Sequence, residues 1–286
     1  MGKRGLFVGL LTLDLIYLAD GPPAKNQKIV AADYTIAAGG PATNAAVTFS
    51  HLGNQARLLG VLGQHPMTQL IRADLQEYQV ILEDLSPTCT RLPPVSSIVI
   101  TQKTGERAVI SLNALKTQAI AAQIPENILK DIDIVLIDGH QTLVGAEIAK
   151  AARSSGIPVV LDGGSWKPGL ETILPFVNYA ICSSNFYPPG SSRSESVLEY
   201  LSAIEVPQIA ITNGEKPIQY ANSTQVGWLE VPQVNPVDTL GAGDIFHGAF
   251  SHFILEQEFA VALAEAAKIA AYSCQFLGTR RWLQQN

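Results

Sequence analysis

Short apolar runs recur along this chain, each followed by a longer stretch with helical spacing. Ile134-Val135-Leu136-Ile137 is too brief for a helix, and the helical stretch Val144–Ser154 follows it. Val159-Val160-Leu161, Ala180-Ile181-Cys182 and Gln208–Thr212 repeat the rhythm, with the helical stretch Glu195–Ala203 before the last. A strand that is apolar at every position is buried on both faces, and strands joined by helices run parallel. Upstream, Leu6–Leu11 and Ala56–Leu59 read as strands, Ala42–His51 and Met67–Tyr78 as helices, and Leu170–Phe176 as a short helix. The pattern predicts an α/β chain with a mostly parallel sheet covered by helices on both faces.

Two regions interrupt that rhythm. Residues 15–37 and 95–112 hold shorter alternating β segments, among them Ser97–Thr101 and Ala108–Leu112, joined by the turn Lys103-Thr104-Gly105-Glu106. They are expected to form a small β lid inserted beside the main sheet of one domain spanning 1–286. Ser191-Ser192-Arg193-Ser194 reads as the most polar loop. With 47% hydrophobic and 15% charged residues, the 286-residue chain can bury a large core. The net charge of −6, with no Lys/Arg cluster, argues against a nucleic-acid surface. No apolar run reaches the length of a membrane span, and because Asp14 interrupts the apolar run that begins at Leu6, Leu6–Leu11 reads as a strand and not as a signal peptide. Cys89, Cys182 and Cys274 are widely separated and lack metal spacing, which fits a reducing cytoplasm.

The chemistry concentrates in Asp238-Thr239-Leu240-Gly241-Ala242-Gly243-Asp244, followed at once by the amphipathic run Ile245–Phe250. Such a loop turning into a helix start offers free backbone N–H groups to an anion. A carboxylate in the same turn can take a proton from a group held beside that anion, the combination that phosphoryl transfer to a hydroxyl requires. Neither a GxxxxGK[ST] loop nor a GxGxxG strand–helix junction is present, so a P-loop is excluded and a nicotinamide-dependent oxidoreductase is disfavoured. Far upstream lies Gly39-Gly40-Pro41-Ala42-Thr43-Asn44-Ala45-Ala46, followed by Leu52-Gly53. Its glycines permit close backbone approach to a small polar ligand, and Asn44 offers both a donor and an acceptor.

Together, the early GGxxxNxAxxxxxLG and the late DTLGAGD resemble the paired signatures of the ribokinase-like (PfkB) carbohydrate kinases, with ketohexokinase-like sequence at Gly9–Ile16. The resemblance spans essentially the whole chain. It implies a three-layer ribokinase-like α/β fold with a β-sheet lid, and transfer of the γ-phosphoryl group of ATP to a sugar hydroxyl. By the same resemblance Asp244 is the base, and Gly241, Ala242 and Gly243 form the anion hole. Asp14, placed at the end of the first strand, binds sugar hydroxyls with Gly40 and Asn44. Thr212 and Gly214 fall in the nucleotide-side loop, Asn185 in the segment before it, and Ala267, Ala271 and Cys274 in the adenine pocket. The implied cofactors are ATP and Mg²⁺, with a monovalent cation left open. The implied partners are a small sugar and, through the lid, a second copy of the chain; neither nucleic acid nor membrane is expected.

Departures from the pattern limit what carries over. Pro188 stands where the family has a Glu that helps organise Mg²⁺, so no residue is assigned to the metal. Pro217 replaces a glycine of the nucleotide loop and removes a backbone N–H. Glu106 takes the lid position of a sugar-binding amide, so the particular sugar does not transfer. The lid cations Lys28 and Arg107 could hold a phosphate on a substrate, which keeps a phosphosugar or nucleoside kinase as an alternative. A sugar- or nucleotide-sensing protein with impaired turnover is another. His247, one turn after Asp244, is expected to pack against the sheet and not to relay protons.

Overall fold

The computed structural model describes residues 2–190, 194–222 and 224–284; the Ser191–Arg193 part of the polar loop lies outside them. Thirteen strands and six α-helices follow in chain order: β1 Arg4–Val8, β2 Thr12–Ala19, β3 Asp33–Gly39, α1 Pro41–His51, β4 Gln55–Gly60, α2 Thr68–Glu77, β5 Ile81–Asp84, β6 Val95–Thr101, β7 Arg107–Ser111, β8 Ile134–Ile137, α3 Thr142–Ser154, β9 Val159–Gly163, β10 Tyr179–Ser183, α4 Ser194–Ala203, β11 Gln208–Asn213, β12 Lys216–Asn222, β13 Val226–Leu229, α5 Ala242–Phe253 and α6 Phe259–Ser273.

Nine strands form the main sheet in the order β13-β12-β11-β10-β9-β8-β1-β4-β5, parallel from β5 to β11, with β12 antiparallel to both β11 and β13 at one edge. The period of two along each strand divides the core. Phe7, Leu58, Ile134, Leu136, Val160, Ile181 and Ala210 face α1, α2, α5 and α6. Their neighbours Leu6, Val8, Leu59, Val135, Ile137, Val159, Leu161, Ala180 and Ile209 face α3 and α4. Both faces are therefore covered, as a parallel sheet requires. From β1 the chain first builds outward through β4 and β5, then resumes on the other side at β8. The β1/β8 boundary is thus the switch point, whose crevice lies beyond the strand C-termini.

A separate four-stranded sheet has the order β3-β2-β6-β7. Asp14, expected at the end of the first strand, lies instead inside this sheet: β1 stops at Val8, and Asp14 in β2 stands opposite Ala37 and Ser96. The break follows from Asp138, whose Oδ2 accepts the Leu10 amide at 2.9 Å and turns the chain out of the main sheet. Residues 170–176 form two short 3₁₀ turns in place of a helix, with Pro175 opening the second. The β12–β13 hairpin and β5 were not expected from the sequence. Among the described residues, no helix is long and apolar enough to cross a membrane.

Candidate active site

α5 begins at the Asp238–Gly243 loop. Gly241 caps it with φ 72°, a left-handed conformation that residues with a Cβ rarely adopt, and a Cβ there would sit 2.6 Å from Thr279 Cγ2. Asp238 fixes the loop from below: the Leu240 amide donates to its Oδ1 at 2.8 Å and the Gly278 amide to its Oδ2 at 2.8 Å. The amides of Gly241, Gly243 and Asp244 meet no acceptor among the described residues, and a Cβ on Gly243 would find nothing within 4 Å. Ala242 donates only a long bond to Thr239 O, 3.4 Å. Uncommitted donors at a helix start thus face open space, an arrangement suited to an anionic group.

α1 brings Asn44 to this loop. Its Nδ2 donates to Asp244 Oδ2 at 2.8 Å across 200 residues of sequence. The approach depends on Gly248 of α5, where a Cβ would lie 2.3 Å from Ala45 O and 2.7 Å from Thr48 Cβ of α1. Burial pushes the Asp244 carboxyl up, to about 7, and the nearby Asp162 carboxylate adds to the push; Asn44, His247 and Arg107 oppose it. Asp244 itself is half-buried.

Asp14 enters from the small sheet. It is 6% exposed, its Oδ1 has no hydrogen-bond partner among the described residues, and burial raises its carboxyl to about 6 against the nearby Ser96 and Thr12 hydroxyls and Arg280. A buried acceptor without a donor suits a ligand hydroxyl. Gly40 caps α1 at φ 104°, directly before Asn44's first turn. Asp138, not singled out from the sequence, organises this corner: it accepts the amides of Leu10, Ala42 and His140 at 2.9, 3.2 and 2.8 Å. An Asp-Gly pair immediately after the apolar run Ile134–Ile137, at a strand C-terminus, was its only local signal. Arg107 reaches the anion loop, donating through Nη1 to Thr239 Oγ1 at 3.0 Å and Thr239 O at 3.3 Å. Lys28 remains exposed in the β2–β3 connection.

His247 is buried, with Nδ1 2.7 Å from Gly243 O and Nε2 3.1 Å from Ile181 O, so it pins α5 to β10. Asp162, at the end of β9, places Oδ2 3.5 Å from His247 Nδ1, and this oxygen has no hydrogen-bond partner among the described residues. Thr212 lies next to the last residue of β11, beside β10, with its hydroxyl 3.4 Å from Cys182 O. Gly214 turns the chain from β11 into β12, and a Cβ there would meet nothing within 4 Å. Asn185 is exposed near the β10 end, its amide donating to Ser183 Oγ at 3.0 Å. Ala267 and Ala271 are buried on α6, and Cys274 at its end accepts the amides of Val237 and Asp238 at 2.8 and 3.1 Å. The fold thus brings the two sequence motifs into direct contact and sets the α6 end against the start of the anion loop.

The model of the pfkB family carbohydrate kinases matches residues 4–285. The chain belongs to this family. As a pfkB carbohydrate kinase it falls among phosphotransferases with an alcohol acceptor. A ribokinase of Bacillus subtilis is 25% identical over 270 residues, 92% of this chain and 87% of the relative. A deoxyribokinase of Salmonella typhimurium is 23% identical, over 96% of this chain and 93% of the relative. The fold is that of Thermotoga maritima ribokinase, with a TM-score of 0.81 at 20% identity over 99% and 98% of the two chains. Arabidopsis thaliana ribokinase complexed with ribose and ATP superposes with a TM-score of 0.77 at 20% identity over the full length of both.

Proposed function

We propose that this pfkB kinase transfers the γ-phosphoryl group of ATP to a hydroxyl of a small sugar or sugar derivative. The observation that carries the proposal is the 2.8 Å contact between Asn44 and Asp244. It joins the substrate-side motif to the anion loop in one site. In this reading Asp14 and Gly40 position the sugar, and Asp14's unpartnered oxygen receives one of its hydroxyls. Asp244 orients the acceptor hydroxyl and takes its proton. In a loose transition state that proton leaves late, so placement of the hydroxyl contributes more than the strength of the base. The amides of Gly241, Ala242 and Gly243 stabilise charge that develops on the transferring group.

Thr212, Gly214 and Asn185, together with Ala267, Ala271 and Cys274, would hold the nucleotide. The uncommitted amides at the start of α5, with open space beside Gly243, suit a phosphate group. Among the described residues no three His, Cys, Asp or Glu side chains gather as a metal cage. That donor set suits Mg²⁺ arriving with ATP and held by phosphates and waters, where it would neutralise phosphate charge. Arg107 is the one observation favouring a substrate that already carries an anionic group, but its Nη1 is engaged by Thr239. The free sugar is therefore the first reading. Free cysteines suit a cytoplasmic enzyme. The exposed outer face of the small sheet, with Tyr17, Tyr34, Ile36 and Ile110, suits a homodimer.

A coupled ADP-release screen with Mg²⁺ tests this reading against pentoses, ketoses, sugar acids, phosphosugars and nucleosides, with Asp244→Asn as the blank. One acceptor is expected to give turnover that Asp244→Asn lowers by about 10²-fold or more, while nucleotide binding stays near normal. Wild-type turnover in the blank would refute the assignment of the base.

A further inference from the structure

The C-terminal segment after α6 carries a buried arginine that neither sequence motif contains. Arg280 is 7% exposed. A guanidinium has five N–H donors and no acceptor, and here its three nitrogens meet acceptors on every side. Nε and Nη2 both reach Asp74 Oδ2 of α2, at 3.2 and 3.0 Å. Nη2 also donates to Ala38 O of β3 at 2.7 Å. Nη1 donates to Asn44 Oδ1 at 2.9 Å and to Thr279 Oγ1 at 3.1 Å. The Tyr78 ring lies 5.4 Å from Cζ.

The contact with Asn44 has a directional consequence. A side-chain amide can turn over, exchanging its oxygen for its nitrogen. Arg280 can only donate, so it holds Oδ1 toward itself and leaves Nδ2 to face Asp244 Oδ2. Ala38 immediately precedes Gly39-Gly40, the start of the substrate-side motif, so the same guanidinium also fixes the strand end from which that motif departs. Leu277 of the same segment packs among Ile16, Ile98 and Ile100 of the small sheet, and the Gly278 amide holds Asp238.

We propose that Arg280 is a positioning residue for phosphoryl transfer, locking the Asn44 amide as a donor to Asp244 and tying that alignment to the substrate loop. The inference rests on the reading of Asp244 as the base. Without the guanidinium, Asn44 is free to present its oxygen to Asp244. That orientation repels a carboxylate and accepts from a protonated carboxyl, so it favours the inactive form of the base. The other groups facing Asp244 are Asp162 from β9, His247 from α5 and Arg107 from β7. None of them is a hydrogen-bond partner of Arg280.

Arg280→Met alone would leave Asp74 without its cation, so the test is the double variant Arg280→Met/Asp74→Asn, with Asp74→Asn as its control. In the ADP-release assay the control is expected to keep kcat within about threefold and an unchanged pH profile, because the amide introduced at position 74 still offers an oxygen to Arg280. The double variant is expected to lose roughly 10- to 100-fold in kcat, with KM for ATP within about twofold. Its acid limb should move up by about one pH unit. Arg280→Lys is the second variant: one ammonium can meet Asp74 but not Asn44 as well, and the same upward limb shift is expected. A wild-type kcat and limb in the double variant, or a loss of kcat with an unmoved limb in it or in Arg280→Lys, would overturn the inference. Asp244→Asn separates the two levels. If it keeps turnover, the base assignment itself fails. If it is inactive while the double variant behaves as wild type, only the role of Arg280 fails.

Discussion

Removing the charge at Asp14 should stabilise the protein while removing its substrate. Asp14 is 6% exposed and its Oδ1 has no hydrogen-bond partner among the described residues. Burial raises its carboxyl from 3.8 to about 6. At about 1.4 kcal/mol per unit, this penalises the ionised carboxylate in the fold by roughly 3 kcal/mol at most. Asn keeps the shape and also has to be desolvated, so Asp14→Asn should gain about 1–3 kcal/mol at neutral pH. For a chain of this length that is a rise of a few degrees, about 2 °C per kcal/mol, in melting temperature. The sign follows from the raised value. Between the unfolded and folded values the folded state binds more protons, so wild-type stability falls as pH rises from about 4 to about 6. The advantage of the variant should therefore be near zero at pH 4, grow through that window and be complete by pH 7. Urea unfolding of both proteins at several pH values measures it, and sugar-dependent turnover measures the accompanying loss. A variant that is less stable than wild type at pH 7.5, or whose advantage does not change with pH, would refute the claim that burial of Asp14 outweighs the groups that favour its charge.

Two further perturbations probe the architecture around the site. Gly248→Ala places a Cβ 2.3 Å from Ala45 O, so α1 and α5 must separate and take Asn44 away from Asp244. A loss of about 1–3 kcal/mol in stability is expected, together with a drop in kcat greater than the loss of folded protein, and wild-type values of both would count against the close helix contact. Tyr34 is 64% exposed and Ile110 79% exposed on the outer face of the small sheet. Tyr34→Glu/Ile110→Glu should convert a dimer to a folded monomer by light scattering, and a monomeric wild type at tens of micromolar would exclude that face as the interface.

The legibility of the fold tracks burial. Ile134–Ile137 was readable to the residue because both of its faces are covered, leaving an unbroken apolar run between polar flanks. The β12–β13 hairpin sits at an edge, and its segment Lys216-Pro217-Ile218-Gln219-Tyr220-Ala221-Asn222 alternates exposed and buried residues too weakly to stand out. The break after Val8 was hidden because Gly9-Leu10-Leu11 continues the apolar run, and what ends the strand is a carboxylate 128 residues away. The same holds for the site. Asp244 and Asn44 lie inside dense local motifs, where several residues repeat one message. Arg280 stands alone after α6, and its meaning arises only when the fold sets it against Asn44, 236 residues earlier.

A common physical theme links what was hidden. Asp14, Asp138, Asp162, Asp238 and Asp244 all lie where strands or loops converge on one crevice, a concentration of like charge that burial makes costly. The structure offsets it unequally. Asp138 and Asp238 are satisfied by backbone amides, three and two respectively, and shape the loops. Asp14 and Asp162 each retain a buried oxygen without a partner, and Asp244 is met by one amide nitrogen from Asn44. The backbone amides that Asp138 and Asp238 accept hold the loops in place. The carboxylates left short of donors are the ones a substrate hydroxyl can complete. Unmet acceptor capacity thus distinguishes Asp14 and Asp162 from the carboxylates that hold the loops, and Arg280 belongs with the builders because its acceptors all come from the chain itself.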